Sequence, residues 1–181
     1  MNSTTTPNSI IFDLIALTKP RVNFLIIFTA IVGMLLAQDY DLNYGLMIYA
    51  SIGIYLAASA AAVINQIVDQ KIDAIMDRTK SRPLIKGNVT PRHAIFFSII
   101  ISVISTYILY EYVNTITTIL TLFSIIVYSI IYSVYLKNLT SQNIVIGGIA
   151  GAMPPLLGWT AVTNGVSELP LLLFLIIFLW T

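Results

Sequence analysis

Charge and cysteine are what this sequence has least of. Only 9% of its 181 residues are charged and 57% are hydrophobic, with a mean hydropathy of +0.89, whereas an ordinary globular domain is about a quarter charged. A soluble domain of this size cannot bury so much apolar surface. The composition therefore excludes a cytosolic enzyme, a disordered chain and a secreted disulfide scaffold, and it predicts an integral membrane protein embedded in a lipid bilayer.

The absence of cysteine excludes disulfides, iron–sulfur clusters and thiolate metal sites. A net charge of only +1 gives no basic surface of the kind that nucleic-acid binding requires, so we expect no nucleic-acid partner. What the chain does have is a series of long apolar runs.

Charge-poor runs predict six helices in the membrane. Because open strands cannot satisfy their backbone in lipid, the predicted fold class is all-α, a polytopic transmembrane helical bundle. A spanning helix needs about 20 residues, and the last run, Leu169–Thr181, is shorter, so we expect five complete spans plus a truncated sixth. The five predicted spans are approximately Val22–Gln38, Tyr44–Val68, Ala94–Tyr110, Val113–Leu136 and Ile144–Thr163.

The distribution of charge predicts the orientation. All nine Lys and Arg residues lie in the N-terminal tail, the loop after the second span or the loop after the fourth span, and the opposite loops carry only acids. The positive-inside rule therefore makes residues 1–21 a cytoplasmic segment and residues 22–181 a single transmembrane domain. No small-residue cleavage site follows the first span, and the tail before Lys19 contains no Arg. We therefore expect a multi-pass protein of a bacterial plasma (inner) membrane.

Three oxygen-bearing side chains follow one another at the cytoplasmic end of the second span. Asn65, Asp69 and Asp73 are spaced four residues apart, which keeps them within about 80° on one helix face and spreads them over about 12 Å. We expect this helix to end near Arg82, because Pro83 disfavours a helical residue before it. Carboxylates and carboxamides are hard oxygen ligands of the kind that suits Mg²⁺.

Basic residues follow the acids closely, at Arg78, Lys80 and Arg82. Protein-bound Mg²⁺ is usually held by a few carboxylates together with phosphate oxygens, and arginine can bind a phosphate through two parallel hydrogen bonds. The combination predicts a site for Mg²⁺ and a diphosphate. The competing interpretation is a solvated cytoplasmic loop in which acids merely offset the bases, and the sequence leaves both open.

Asn65-x3-Asp69-x3-Asp73, followed by Arg78-Thr79-x2-Arg82-Pro83-Leu84, resembles the first aspartate-rich motif of the UbiA superfamily of intramembrane prenyltransferases. Within that superfamily the chain is most similar to the heme O synthase (protoheme IX farnesyltransferase) family. Three further stretches carry this narrower resemblance, and together with the motif they cover almost the whole chain after about Ile11. They are residues 17–22, 28–37 and 142–159.

This resemblance implies the transfer of a farnesyl group from farnesyl diphosphate to a vinyl group of heme B, with Mg²⁺ as the cofactor and heme O as the product. It implies that Asn65, Asp69 and Asp73 are the catalytic ligands of the metal and the diphosphate. Any terminal oxidase or heme A synthase partner stays unknown. The implied diphosphate contacts are Lys71, Arg78, Arg82 and, from the segment before the first span, Lys19 and Arg21.

The family pattern is longer than this chain. It has about nine helices, a second acidic motif after the sixth span and a Pro-Pro-His run just beyond the position of Thr181, so we expect an N-terminal fragment that is inactive alone. Lys137 is followed by Asn138 where the family has a second basic residue. We expect Asp77 to form an ion pair at a helix end, and His93 to be a solvated helix-start residue rather than a heme ligand.

Three other functions compete with this one. A UbiA-type prenyltransferase acting on an aromatic acid or a quinone precursor shares the first motif, but residues 142–159 argue against it. A membrane transporter using Asp69 and Asp73 as coupling sites would place isolated charges at the membrane midplane. A non-catalytic assembly factor is supported only by the length of the chain.

Overall fold

The computed structural model describes residues 7–37, 43–136 and 143–180, and all the regular structure within these ranges is helical. Helix α7 continues directly into a π-helix, which we call the π segment. The elements in chain order are α1 (Pro7–Leu17), α2 (Pro20–Leu36), α3 (Tyr44–Val68), α4 (Gln70–Asp73), α5 (Pro83–Lys86), α6 (Pro91–Tyr112), α7 (Thr115–Ile126), the π segment (Val127–Leu136), α8 (Asn143–Thr163) and α9 (Glu168–Trp180).

The structure confirms an all-helical, multi-pass architecture. Within the described ranges, four helices are long and apolar enough to cross a membrane: Tyr44–Val68, Pro91–Tyr112, Thr115–Leu136 and Ile144–Thr163. The first predicted span differs in form, because α1 and α2 meet at a 47° bend and count as a fifth span only when taken together. Helix α9 is an apolar helix of 13 residues.

Helix starts follow the polar residues that the sequence places before each apolar run. The side chains of Asn43 and Asn114 cap α3 and α7 by accepting backbone N–H bonds. At α6 the Thr90 hydroxyl accepts the N–H of His93 at 3.3 Å, and Pro91 occupies the first turn, where its missing N–H has no cost. His93 is exposed, which confirms it as a helix-start residue.

Helices α2 and α8 approach each other so closely that glycine is required on both. A Cβ atom built on Gly33 would collide with the carbonyl group of Pro155, and one built on Gly158 would collide with the carbonyl group of Ala30. Close backbone approach through small residues is a common way for membrane helices to associate, because lipid provides no hydrophobic drive between them. The main core lies around this contact and includes the buried residues Met34, Ile54, Leu109, Met153 and Leu157.

A second, smaller core lies at the end of the bundle where α3 finishes. Five buried residues from α1, α3, α5, α6 and the loop before α6 pack together there, and they hold the 83–86 turn against the first helix. The polar loop between α3 and α6 is therefore anchored to the bundle at its far end. The five are Leu17, Val63, Leu84, Val89 and Ala94.

Replacing Gly158 with alanine tests the close α2–α8 contact. The added methyl group must displace backbone rather than a flexible side chain, so we expect a loss of about 1–3 kcal/mol in stability and a fall of several degrees in the unfolding temperature in detergent. The matched control is Gly151→Ala on the same helix, because a Cβ there meets nothing within 4 Å. Equal unfolding temperatures for the two variants would contradict the contact.

Candidate functional site

Asn65, Asp69 and Asp73 lie one above another at the end of α3. The backbone N–H of Asp69 donates to the carbonyl of Asn65 at 3.0 Å, and that of Asp73 donates to the carbonyl of Asp69 at 2.8 Å. These i→i−4 bonds carry the helical repeat across the junction between α3 and α4, so the predicted shared face is confirmed. All three residues are buried, with exposed fractions of 5%, 7% and 5%.

The helical repeat ends at Asp73, so the prediction that it reaches Arg82 is wrong. In a continuing helix the Asp73 carbonyl would accept a backbone N–H four residues later. It accepts the Thr79 hydroxyl instead, at 2.8 Å, which folds residues 74–82 back towards α4. Pro83 does not break a helix here but begins α5 at its first position.

This return of the chain brings Arg82 onto the acidic face. Its guanidinium forms an ion pair with the Asp73 carboxylate, and about a quarter of the Arg82 side chain is exposed. Asp77, by contrast, forms an exposed ion pair with Lys80 at 2.7 Å. Asp77 thus forms an ion pair rather than joining the Asn65 face, as expected, but the pair lies in the turn after α4 and not at a helix end.

The structure separates the five basic residues suggested by the sequence into two groups. Lys19 and Arg82 reach the buried polar face, since the Lys19 ammonium donates to the Asn65 side-chain oxygen at 3.4 Å. Lys71, Arg78 and Arg21 are exposed. One cation thus contacts Asn65 and another contacts Asp73, and the predicted diphosphate roles of all five residues stay predictions.

Lys19 has a left-handed backbone conformation, with φ 52° and ψ 61°, at the break between α1 and α2. Such a conformation costs a non-glycine residue about 1–3 kcal/mol and persists only where its surroundings hold it. Two buried amides do so by capping carbonyls at the end of α1: Gln66 donates to the Leu17 carbonyl at 2.6 Å, and Asn23 donates to the Thr18 carbonyl at 2.8 Å.

The Asn65 side chain also reaches a third helix. Its Nδ2 atom donates to the hydroxyl of Ser133, on the π segment, at 3.0 Å. Sequence reasoning missed Ser133, Gln66 and Asn23. The two amides could have been found, because polar side chains inside predicted spans are costly and therefore informative. Ser133 is one of several serines and threonines in its predicted span, so it carries no comparable signal.

A cavity of about 370 Å³ opens beside this polar end. It lies between α2, α3, α7 with the π segment, and α8, and its wall is predominantly apolar, including Ile54, Met153 and Leu157. Lys19 and Tyr128 belong to the lining, so the cavity adjoins the residue that contacts Asn65. An apolar cleft with a few polar groups at one end suits an amphiphilic ligand.

The donor set fits a partial magnesium site. Among the residues that the structure describes, no group of three His, Cys, Asp or Glu side chains could hold a metal ion. The oxygen donors on the buried face are two carboxylates, of Asp69 and Asp73, and the carboxamide of Asn65. Mg²⁺ characteristically takes one or two carboxylates and completes its shell with phosphate oxygens and water. The set is therefore suited to a metal that arrives with a phosphorylated ligand.

The sequence pattern described as the UbiA prenyltransferase family matches residues 26–181. The chain belongs to the UbiA prenyltransferase family. Its Asn65, Asp69 and Asp73 lie inside the matched region, whereas Lys19 precedes it.

Curated relatives of this UbiA chain are about half identical to it. The chain is 51% identical over 169 residues to "Protoheme IX farnesyltransferase 2" of Pseudoalteromonas atlantica, covering 93% of this chain and 55% of that protein. It is 53% identical over 171 residues to "Protoheme IX farnesyltransferase" of Alcanivorax borkumensis, covering 93% and 56%. The chain thus spans about half the length of the curated relatives it matches.

Solved structures share the UbiA fold at low sequence identity. A structure of digeranylgeranylglyceryl phosphate synthase superposes with a TM-score of 0.81 at 20% identity, covering 94% of this chain and 59% of that one. A UbiA homologue from Archaeoglobus fulgidus, bound to DMAPP and Mg²⁺, superposes with a TM-score of 0.79 at 14% identity, covering 93% and 61%. These likenesses establish the fold.

Some predicted features of the UbiA chain fall outside the described residues. They are Lys137 with Asn138, Gln142 at the start of the stretch at 142–159, and the predicted ends of the first span and of the last apolar run, Gln38 and Thr181. The rest of that stretch lies in α8, where Gly158 packs against α2 and Gly151 lines the cavity. Its glycine-rich composition thus serves both helix packing and the cavity wall.

Substituting Arg82 or Arg78 with alanine distinguishes the buried cation from the exposed one. Arg82→Ala leaves the Asp73 carboxylate buried without its cation, and we expect a loss of about 1–3 kcal/mol in stability, because a buried group loses its partner. The exposed Arg78→Ala should stay within about 0.5 kcal/mol of the parent. Thermal unfolding in detergent measures both, and a larger loss for Arg78→Ala would contradict the assignment.

Proposed function

We propose that the whole protein transfers the farnesyl group of farnesyl diphosphate to a vinyl group of heme B and so produces heme O. The observation that carries this proposal is the buried face of Asn65, Asp69 and Asp73, with Lys19 and Arg82 beside it and an apolar cavity adjoining. The names of the half-identical relatives support the specific substrates.

The polar face is suited to the diphosphate head. Asn65, Asp69 and Asp73 would hold Mg²⁺, which when bound supplies a Lewis acid that neutralises the departing diphosphate. The Arg82 guanidinium has five N–H donors, so its pairing with Asp73 leaves others for phosphate oxygens. Lys19 contributes a second positive charge beside the Asn65 side-chain oxygen.

The apolar cavity is suited to the isoprenoid chain. Because Lys19 belongs to its lining, a diphosphate held at Lys19 directs the attached hydrocarbon into the cavity. Cleavage of the allylic C–O bond leaves positive charge on the farnesyl group, and the apolar wall keeps water from quenching it early. The heme vinyl carbon then forms the new C–C bond, and water adds to the neighbouring carbon with loss of one proton, which gives a hydroxyethylfarnesyl group.

The proposed setting is a bacterial inner membrane with the N-terminus in the cytoplasm. The segregation of basic residues supports this orientation. Lys19 and Arg82 meet Asn65 and Asp73 at one end of the bundle, so this orientation places the diphosphate site at the cytoplasmic surface, where a water-soluble ion and a charged head group can enter.

Replacing Asp69 with asparagine tests the proposal in cells. The protein's full reading frame is expressed in a bacterial host that lacks heme O synthase, and extracted hemes are separated by chromatography. The parent should produce heme O, and Asp69→Asn should reduce it at least about 100-fold, because a metal ligand loses its charge. The matched control, Asp77→Asn, removes an exposed carboxylate and should retain heme O synthesis.

Different failures of this experiment have different meanings. If Asp69→Asn still produces heme O, the assignment of the metal face is wrong. If the parent leaves heme B unmodified and prenylates an aromatic acid or a quinone precursor, the acceptor is wrong although the chain remains a prenyltransferase.

A further inference from the structure

We propose that Ser133 is a positioning residue that fixes the orientation of the Asn65 amide and so presents its oxygen to the metal–diphosphate site. This inference rests on the proposed function, because it concerns how a ligand of that site is held. The structural observation behind it is a chain of hydrogen bonds that runs from the π segment to Lys19 through the Asn65 side chain.

Which group donates in each of these hydrogen bonds follows from the number of protons available. A serine hydroxyl has one proton, and that of Ser133 is donated to the carbonyl of Tyr128 at 2.8 Å. Towards Asn65 the Ser133 oxygen can therefore only accept. Since an amide nitrogen donates and an amide oxygen accepts, the group facing Ser133 at 3.0 Å must be the amide nitrogen.

The contact made by the Asn65 amide oxygen supports the same amide orientation independently. The Lys19 ammonium can only donate, and it lies 3.4 Å from the Asn65 side-chain oxygen. Asn65 is 5% exposed and Ser133 is fully buried, so the hydrogen bond between their side chains is shielded from bulk water. A flipped amide would set acceptor against acceptor at Ser133 and donor against donor at Lys19, at a cost of one or more hydrogen bonds.

The geometry of the π segment explains how Ser133 can contact both the Tyr128 carbonyl and the Asn65 side chain. Tyr128 lies five residues before Ser133, the spacing of a π-helix, and residues 127–136 all have this geometry. Such wide turns are rare and are often found at functional sites. Here the wide turn allows the Ser133 hydroxyl to bond to the Tyr128 carbonyl while its oxygen faces α3.

Ser129 provides a matched control on the same segment. It is 1% exposed, and no partner for its hydroxyl is found among the residues that the structure describes. Ser129→Ala and Ser133→Ala therefore each remove one buried hydroxyl oxygen, from neighbouring turns of the segment. Only the second removes a hydrogen bond to Asn65.

The test measures binding of a non-reacting thio analogue of farnesyl diphosphate to the full-length protein by calorimetry, at several Mg²⁺ concentrations. Loss of a group that orients a metal ligand typically weakens binding about 10–100-fold. We expect Ser133→Ala to raise both the analogue Kd and the half-saturating Mg²⁺ concentration by that factor. Ser129→Ala should leave both unchanged, and in an Asn65→Ala background Ser133→Ala should have no further effect.

A second pair of variants keeps the test decisive if Ser133→Ala does not fold. Thr and Val have the same shape, so Ser133→Thr and Ser133→Val share any cost of added volume and differ only in the hydroxyl. We expect the Thr variant to bind the analogue about tenfold more tightly than the Val variant.

The possible results separate this inference from the proposed function. If Asn65→Ala weakens binding and Ser133→Ala does not, or if the Thr and Val variants bind equally, the positioning role is overturned and the metal–diphosphate site stands. If neither Asn65→Ala nor Asp69→Asn alters binding of the analogue, both the site and the positioning role are overturned.

Discussion

The burial of two carboxylates at the end of an apolar helix bundle is the constraint on which the rest of this structure depends. Asp69 and Asp73 are 7% and 5% exposed, and buried charge is costly unless cations and hydrogen-bond donors surround it. The loop after α4 folds back so that Arg82 can pair with Asp73. Burial of these carboxylates therefore costs electrostatic free energy at one end of the bundle, and a metal with its anionic ligand would offset that cost.

The break between α1 and α2 lies at the same polar end of the bundle, and it brings Lys19 to Asn65. An uninterrupted first helix would have no residue in the left-handed conformation that Lys19 adopts. Gln66 lies next to Asn65 in sequence, and its amide caps the carbonyl of Leu17 that the break leaves open. One turn of α3 therefore supplies both a proposed metal ligand and the support for the cation that contacts it.

Much of this arrangement could be predicted from the sequence, because it depends on local rules. The second long apolar run predicts a span at Tyr44–Val68, and the structure has α3 over the same residues. The shared face of Asn65, Asp69 and Asp73 follows from helical periodicity alone. The same residues and their basic neighbours carry the resemblance to the UbiA superfamily, and the family match confirms it.

The features that were missed depend on tertiary contacts. The sequence predicts a helical repeat that reaches Arg82, but the Thr79 hydroxyl bonds to the Asp73 carbonyl instead, and no spacing rule predicts a side chain that folds back in this way. Five basic residues looked equivalent, and only the path of the loop separates Arg82 from the exposed Arg78. Ser133 is separated from Asn65 by 68 residues, so the contact between them cannot be inferred from local pattern.

The most direct measurement is an experimental structure of the full-length protein with Mg²⁺ and the non-reacting thio analogue of farnesyl diphosphate. We expect the diphosphate between Lys19 and Arg82, its hydrocarbon in the cavity between α2, α3 and α8, and a metal ion about 2.1 Å from an Asp69 oxygen. A diphosphate bound elsewhere, with Asp69 and Asp73 contacting neither metal nor ligand, would contradict it.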